Sequence, residues 1–214
     1  MLIEGLEING PEYWEIRHRR ESWPRTSAWA MDIVSEQIAP ESAVLEVGCG
    51  QGAFAALLKQ RRMDLDVVAI DISASAIDRA KKTYGDQVDF RVADVFTLKA
   101  QIPETFDYII TIQNFEHWTP DRHIPAMRSL WSRLRPGGGV FFTGVGKAWD
   151  LTQMNYGPME YNGQAIMAPN DYHYNNWNEQ EVYDLFNNHA CKARHVKFWR
   201  RRGKDRVVAE ATKS

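Results

Sequence analysis

The feature that most constrains this chain is a glycine-punctuated junction, Val44-Leu-Glu-Val-Gly-Cys-Gly-Gln-Gly-Ala-Phe54. An apolar, β-branched run stops at three alternating glycines, Gly48, Gly50 and Gly52, and helix formers follow at once. A strand that turns this tightly into a helix leaves backbone N–H groups exposed at the helix start, where a ligand can approach them closely. Such a junction belongs in an α/β fold, and the residues that follow extend the pattern. Strands are expected at 43–47, 66–70, 88–93, 106–112 and 139–145, the last opened by the breaker Pro136-Gly-Gly-Gly139. Helices are expected at 53–62, 74–84 and 122–134. Alternation at this spacing implies parallel strands joined by right-handed crossovers. Their near-continuous apolar runs suit a sheet covered on both faces.

The alternation stops after the fifth strand. Residues 147–176 are rich in Tyr, Met, Asn, Gly and Pro and show no sustained period, which reads as a long ordered loop or lid. A helix over 178–188 follows, with Asn178 as its cap and Glu181 three residues on. Stretches 193–199 and 206–211 then read as two strands around a turn at Arg200-Arg-Arg-Gly-Lys204, an antiparallel ending that closes the sheet. Residues 11–39 read as a helical extension broken at Pro24 that covers the open edge of a nucleotide cleft. The expected organisation is an N-terminal helical extension or lid over 1–40 and one α/β domain over 41–214, with 147–177 inserted on the acceptor side.

Composition narrows the class of protein. The 214 residues carry 26 Lys+Arg against 28 Asp+Glu, a net charge of -2, and 44% are hydrophobic. Wholesale disorder is excluded, and so is a nucleic-acid binder held by bulk charge. The cysteines, Cys49 and Cys191, are too few and too distant for a disulfide scaffold or a cysteine-rich zinc site. No apolar run reaches the roughly 20 residues needed to span a bilayer. The first ten residues lack the basic start and apolar stretch of a secretory signal, so a cytoplasmic protein is expected. The eight tryptophans are many for this length, and none lies between Ser42 and Phe115. They are expected in the elements that cover and line an acceptor pocket, with Trp131 assigned to helix core.

Around the glycine turn the acidic residues stand where a nucleotide-like ligand needs them. Glu46 precedes the first glycine by two residues. Asp71 ends the second strand, 19 residues after Gly52, where a carboxylate can accept hydrogen bonds from ribose hydroxyls. Asp94 ends the third strand, within reach of an exocyclic adenine amine. With Leu45-Glu-Val-Gly-Cys-Gly-Gln-Gly52, Ala69-Ile-Asp-Ile-Ser73, Val92-Ala-Asp-Val-Phe96, Phe106-Asp-Tyr-Ile-Ile110 and Leu134-Arg-Pro-Gly-Gly-Gly139 in this order, the chain resembles the class I S-adenosylmethionine-dependent methyltransferases, in particular their small-molecule branch. A hydride-transfer Rossmann enzyme would show G-x-G-x-x-G and a second dinucleotide-binding half, and neither is present.

The resemblance covers about Ser42 to Val145 and implies a Rossmann-like seven-stranded sheet of order 3-2-1-4-5-7-6, strand seven antiparallel, with helices on both faces. It implies S-adenosyl-L-methionine as cofactor. Gly48, Cys49 and Gly50 would pass the methionine portion with Glu46 beneath, Asp71 would hold the ribose, and Ile72 would pack on adenine. Asp94 and Val95 would read the adenine edge, and Gln113 would line the methyl region. The stretch Glu12-Tyr-Trp-Glu-Ile-Arg-His-Arg-Arg20 is similar to a Tyr-Trp-x-x-Arg helix of such enzymes, in which Tyr13 and Arg17 would close over the cofactor.

Two histidines are candidates for the general base, His117 in Asn114-Phe-Glu-His-Trp118 and His173 in Pro169-Asn-Asp-Tyr-His-Tyr174. His117 has an equally plain structural reading, in which it orients its loop. His18 can face the pocket, whereas His123, His189 and His195 read as packed or surface residues. Glu116, His117 and His173 could gather around a divalent ion, but their spacing does not demand it, so no metal is expected. The expected partner is a small-molecule methyl acceptor, a saccharide or an aromatic or quinone-type hydroxyl, with no nucleic acid or membrane. The protein is expected to be a monomer or homodimer. N-methylation of an amine or protein side chain, and binding of the cofactor without catalysis, are the alternatives.

Overall fold

The computed structural model describes residues 10–20, 28–118, 120–145, 156–161, 164–169, 179–189, 191–200 and 206–214. Two helices come first, α1 (Pro11–Arg20) and α2 (Ala28–Gln37). The alternating part follows as β1 (Ala43–Val47), α3 (Ala53–Arg61), β2 (Asp66–Asp71), α4 (Ala74–Tyr84), β3 (Asp89–Val92), the short α5 (Leu98–Gln101), β4 (Phe106–Thr111), α6 (Pro120–Arg133) and β5 (Leu134–Val145). The chain ends with β6 (Tyr156–Tyr161), β7 (Gln164–Pro169), α7 (Glu179–Asp184), β8 (Ala193–Arg200) and β9 (Arg206–Lys213).

Seven strands form one sheet in the order β3-β2-β1-β4-β5-β9-β8. The first five are parallel, and β9 enters antiparallel between β5 and β8. This is the expected 3-2-1-4-5-7-6 order, since β8 and β9 are the sixth and seventh strands of the sheet. β1 is an inner strand beside the central β4, with Leu45 opposite both Val68 of β2 and Ile109 of β4.

Strand alternation divides the buried side chains between two faces. On one face Leu45, Val47, Ile70, Ile109 and Val140 pack against Met127 and Leu130 of α6 and Val182 of α7. On the other, Val44, Val67, Ala69, Ile110 and Phe141 pack against Met31 and Val34 of α2, Phe54 and Leu58 of α3, and Ile77 of α4. Because both faces are covered, β1 and β2 are apolar along nearly their whole length. The buried Glu46 stands out in such a strand.

Three readings change. The expected lid at 147–176 holds an antiparallel two-stranded ribbon, β6 with β7, running from Tyr156 opposite Pro169 to Tyr161 opposite Gln164. Gly157, Pro158 and Pro169 disguise the alternation of these strands, while the sequence between them is Asn-Gly, the dipeptide favoured in two-residue hairpin turns. The expected helix at 178–188 is α7 followed by a π-helical turn over Leu185–His189, and Asn178 lies outside the described residues. β5 begins before the glycines, at Leu134, and its ladder with β4 is irregular between Phe106 and Tyr108.

The tryptophans also divide differently from the expectation. Trp131 packs near Phe186, ring centres 6.2 Å apart, as expected of helix core. Trp29 and Trp199 join the core on the α2 face, Trp199 lying 6.3 Å from Phe141. Trp14 and Trp118 alone among the described residues stand by the candidate site. Trp23, Trp149 and Trp177, like Pro24, lie outside the described residues. Among the described residues, no helix is long and apolar enough to cross a membrane.

Candidate active site

The site gathers at the C-terminal ends of the parallel strands, where the chain passes from β1 into α3. Gly48, Gly50 and Gly52 all have left-handed backbone angles, φ 73°, 53° and 81°. The N–H groups of Gly48 and Cys49 both donate to the Ile70 carbonyl, at 2.9 and 3.0 Å, which ties the turn to β2. At Gly48 a Cβ would sit 2.4 Å from the Asn114 side chain, so the close approach of that amide requires glycine. Asn114 Nδ2 donates to the Val47 carbonyl at 3.3 Å and so fastens the loop after β4 to the turn after β1. At Gly50 an added Cβ would come into ordinary contact with His18 Cε1, at 3.6 Å, so the roof lies directly against the turn.

Asp71 holds the next corner. Its carboxylate is buried and accepts the Gly50 N–H through Oδ2 at 2.8 Å and the Ser73 N–H through Oδ1 at 2.9 Å. Ile72 follows it, half-buried. The Ala93 N–H donates to the Asp71 carbonyl at 3.0 Å and brings the end of β3 alongside. There Asp94 is half-buried, with Oδ1 accepting the Phe96 N–H at 2.9 Å. Val95 is buried, and its carbonyl accepts Ser129 Oγ at 2.5 Å.

Glu46 lies beneath the turn, 4% exposed. Burial, with the Asp71 charge adding to it, pushes its carboxyl up to about 8, against a hydrogen bond from the Ala55 N–H that works the other way. Its Oε2 has no hydrogen-bond partner among the described residues. A buried carboxyl oxygen in this condition is suited to an incoming donor. The same burial, with Asp71 and Glu46 nearby, pushes the Cys49 thiol up.

Helix α1 forms a roof. Tyr13, Arg17 and His18 turn inward and are all less than a tenth exposed, and Arg17 Nη1 donates to Tyr13 Oη at 3.1 Å. Burial pushes the His18 imidazole down, against the attraction of Asp71. The Trp14 ring meets the His117 ring edge-on, centres 5.0 Å apart, so the roof reaches the loop after β4. In that loop Gln113 has a left-handed backbone, φ 54°, and His117 is buried. Trp118 packs on Phe115 at 4.7 Å and near Phe96 at 5.9 Å.

The structure thus brings Glu46, Gly48, Cys49, Gly50 and Asp71 together under Tyr13, Arg17 and His18. Ile72, Asp94 and Val95 lie on one flank, and Gln113 and His117 on the other. His173, the other candidate base, lies outside the described residues, and so does any metal grouping that includes it. Sequence reasoning missed Asn114 and Glu15, whereas Trp14 stands by the site as expected of a pocket-covering tryptophan. The contacts of Asn114 and Glu15 are long-range, at separations of 67 and 58 residues. The one legible signal was the position of Asn114 beside Gln113.

This donor set fits S-adenosylmethionine. The left-handed glycine turn suits its amino-acid portion, the orphaned Glu46 oxygen suits an ammonium, and the Asp71 carboxylate suits ribose hydroxyls. Comparison with known proteins agrees. Residues 44–138 match the model of a family described as a methyltransferase domain. A ubiquinone biosynthesis O-methyltransferase of Xanthomonas campestris pv. campestris (strain B100) is 33% identical over 117 residues, 53% of this chain and 47% of that protein. A tRNA N(3)-methylcytidine methyltransferase of Schizosaccharomyces pombe is 33% identical over 132 residues, 58% of this chain and 42% of that protein. The chain therefore spans about half the length of the curated relatives it matches. A TehB-like methyltransferase structure from Corynebacterium glutamicum superposes with a TM-score of 0.61 at 18% identity, covering 96% of this chain and 100% of that one, which is a likeness of fold. Residues 44–138 are thus similar to a methyltransferase domain, and the sheet has the fold of the class I, S-adenosylmethionine-dependent methyltransferases. That family uses S-adenosyl-L-methionine as its cofactor.

Proposed function

We propose that the protein transfers a methyl group from S-adenosylmethionine to a hydroxyl of a small molecule, a saccharide or an aromatic or quinone-type metabolite. The observation that carries the reading is the Gly50–Asp71 corner, a left-handed glycine turn hydrogen-bonded to a buried carboxylate. In this reading Gly48, Cys49 and Gly50 border the methionine portion, and Glu46 and Arg17 take its ammonium and carboxylate. Tyr13 closes over it. Asp71 accepts the ribose hydroxyls, Ile72 packs on the adenine, and Asp94 and the Val95 amide read its edge. Gln113 lines the methyl region.

When bound, S-adenosylmethionine supplies an activated methyl group, so the protein's own work is to position the acceptor and to take its proton. His117, beside Gln113 and against Trp14, is the candidate base, and His173 is the second. The aromatic surface of Trp14, Trp118 and Phe96 suits a flat or sugar-faced acceptor. In this arrangement residues 1–40 act as the lid and 41–214 as the catalytic domain, with 147–177 on the acceptor side. A second reading, methylation of a nucleic acid, is favoured by the equal identity of the tRNA-modifying relative.

Calorimetry with S-adenosylhomocysteine tests the site. Asp71→Ala should weaken binding at least tenfold, because it removes the ribose acceptor and releases the Gly50 N–H. Unchanged affinity rejects the assignment. Transfer of labelled methyl to phenols, catechols and saccharides, against bulk tRNA, separates the two acceptor readings.

A further inference from the structure

We propose that Glu15 is a latch: its grip on the first turn of α4 holds α1 closed over the cofactor cleft, and its release opens the way in and out. This rests on the reading that the cleft takes S-adenosylmethionine. Among the described residues the cleft is closed under α1, with Asp71, Tyr13, Arg17 and His18 each less than a tenth exposed. A ligand that reaches the Asp71 carboxylate has to displace the roof.

The roof is fastened at identifiable points. Glu15 Oε2 accepts Ser73 Oγ at 2.8 Å and the Ser75 N–H at 3.1 Å, and its Oε1 accepts Ser75 Oγ at 2.5 Å. Ser75 is in the first turn of α4, where N–H groups have no partner within the helix. Ser73 is the N-cap of α4, its Oγ accepting the Ala76 N–H at 3.1 Å. A carboxylate from another helix therefore completes the cap, at the helix end that favours negative charge. Burial pushes the Glu15 carboxyl up, but the bonds from Ser75, Ser73 and Arg19 outweigh it and hold it at about 2, so the latch stays ionised. A second fastening lies one turn along α1, where Arg79 of α4 donates to the Arg19 carbonyl.

The location gives these bonds their meaning. Ser73 is two residues past Asp71 and donates its own N–H to that carboxylate. The latch therefore closes on the segment that would carry the ribose. Across the cleft α1 meets the loop after β4 through the Trp14 and His117 rings. Glu15 is a positioning residue in this scheme, acting through α1 rather than on the ligand.

The test is the rate of ligand exchange in the full chain. Stopped-flow measurement of S-adenosylhomocysteine association and dissociation should show both rates raised about tenfold in Glu15→Ala. The equilibrium constant should move much less than either rate. Ser75→Ala, which removes one of the three bonds and keeps the N–H, should give a smaller change of the same kind. Backbone hydrogen exchange without ligand should speed up in α1 and stay unchanged in β1 and β4. If both variants keep parental exchange rates and parental protection of α1, the latch is rejected. A rise in dissociation rate alone, matched by the loss of affinity, also rejects it, because Glu15 would then be acting on the ligand's affinity and not on the lid. A parent protein that does not bind S-adenosylhomocysteine overturns the methyltransferase reading, and the hydrogen-exchange arm still decides the latch. If Glu15→Ala does not fold, Ser75→Ala carries the same comparison.

Discussion

Glu46 shows how far this site departs from ordinary core. A carboxyl 4% exposed in a central strand is kept neutral by its surroundings. Its proton-binding strength is ordinary in the unfolded chain, near 4.5, and about 8 in the folded one. The folded state therefore holds an extra proton between those values, and stability falls as pH rises from 4.5 through 8. Glu46→Gln has no proton to lose. It should be more stable than the parent by an amount that grows across this window, up to about 3 kcal/mol at pH 7. Denaturant titrations between pH 5 and 8.5 check this, and a difference independent of pH would refute it. The same substitution should weaken cofactor binding, so stability and function pull in opposite directions at this position.

At the scale of elements, His123 ties α6 to the loop after β4. Its ring stacks on Phe115 at 5.0 Å and 17° between planes and is 4% exposed. Burial pushes it down to about 4, although hydrogen bonds with the backbone of Trp118 and Phe115 oppose this. Its folded value thus lies below the ordinary 6.5. The stability attached to it is complete above 6.5 and is lost as pH falls toward 4. His123→Gln should flatten the acid limb of the stability profile in that window, read by urea unfolding at several pH values. An unchanged slope would mean that the acid sensitivity lies elsewhere. The parallel strands were legible in the sequence because burial on both faces forces continuous apolar runs, as in Val67-Val-Ala-Ile70. The β6–β7 ribbon was not, because it lies outside the main sheet and its glycine and prolines break any alternation. Glu15 was illegible for a different reason. Its partners are 58 and 60 residues away, and nothing local distinguishes it from a solvated helix carboxylate.

For the whole molecule, strand position should set the order of opening. β1 and β4 are central, and Val44, Leu45, Ile109 and Ile110 are fully buried. β3 is an edge strand, with Val92 51% exposed. Hydrogen exchange followed by mass spectrometry should find the slowest amides in β1 and β4 and faster ones in β3 and β8. Equal protection across the sheet would contradict it. The tryptophans fit this larger view. Trp29, Trp131 and Trp199 stabilise the sheet faces, so residue type alone misassigned Trp29 and Trp199 to the pocket.

The contact between Gly48 and Asn114 also bears on how such a protein can change over generations. In the proposed reading, the turn that would face the donor and the loop that would face the acceptor meet at one amide, with no room for a methyl group between them. A mutation that reshapes the loop for a new substrate shifts the wall of the donor pocket as well. New acceptor preferences are therefore expected first from variation at the β6–β7 ribbon, which lies outside the main sheet.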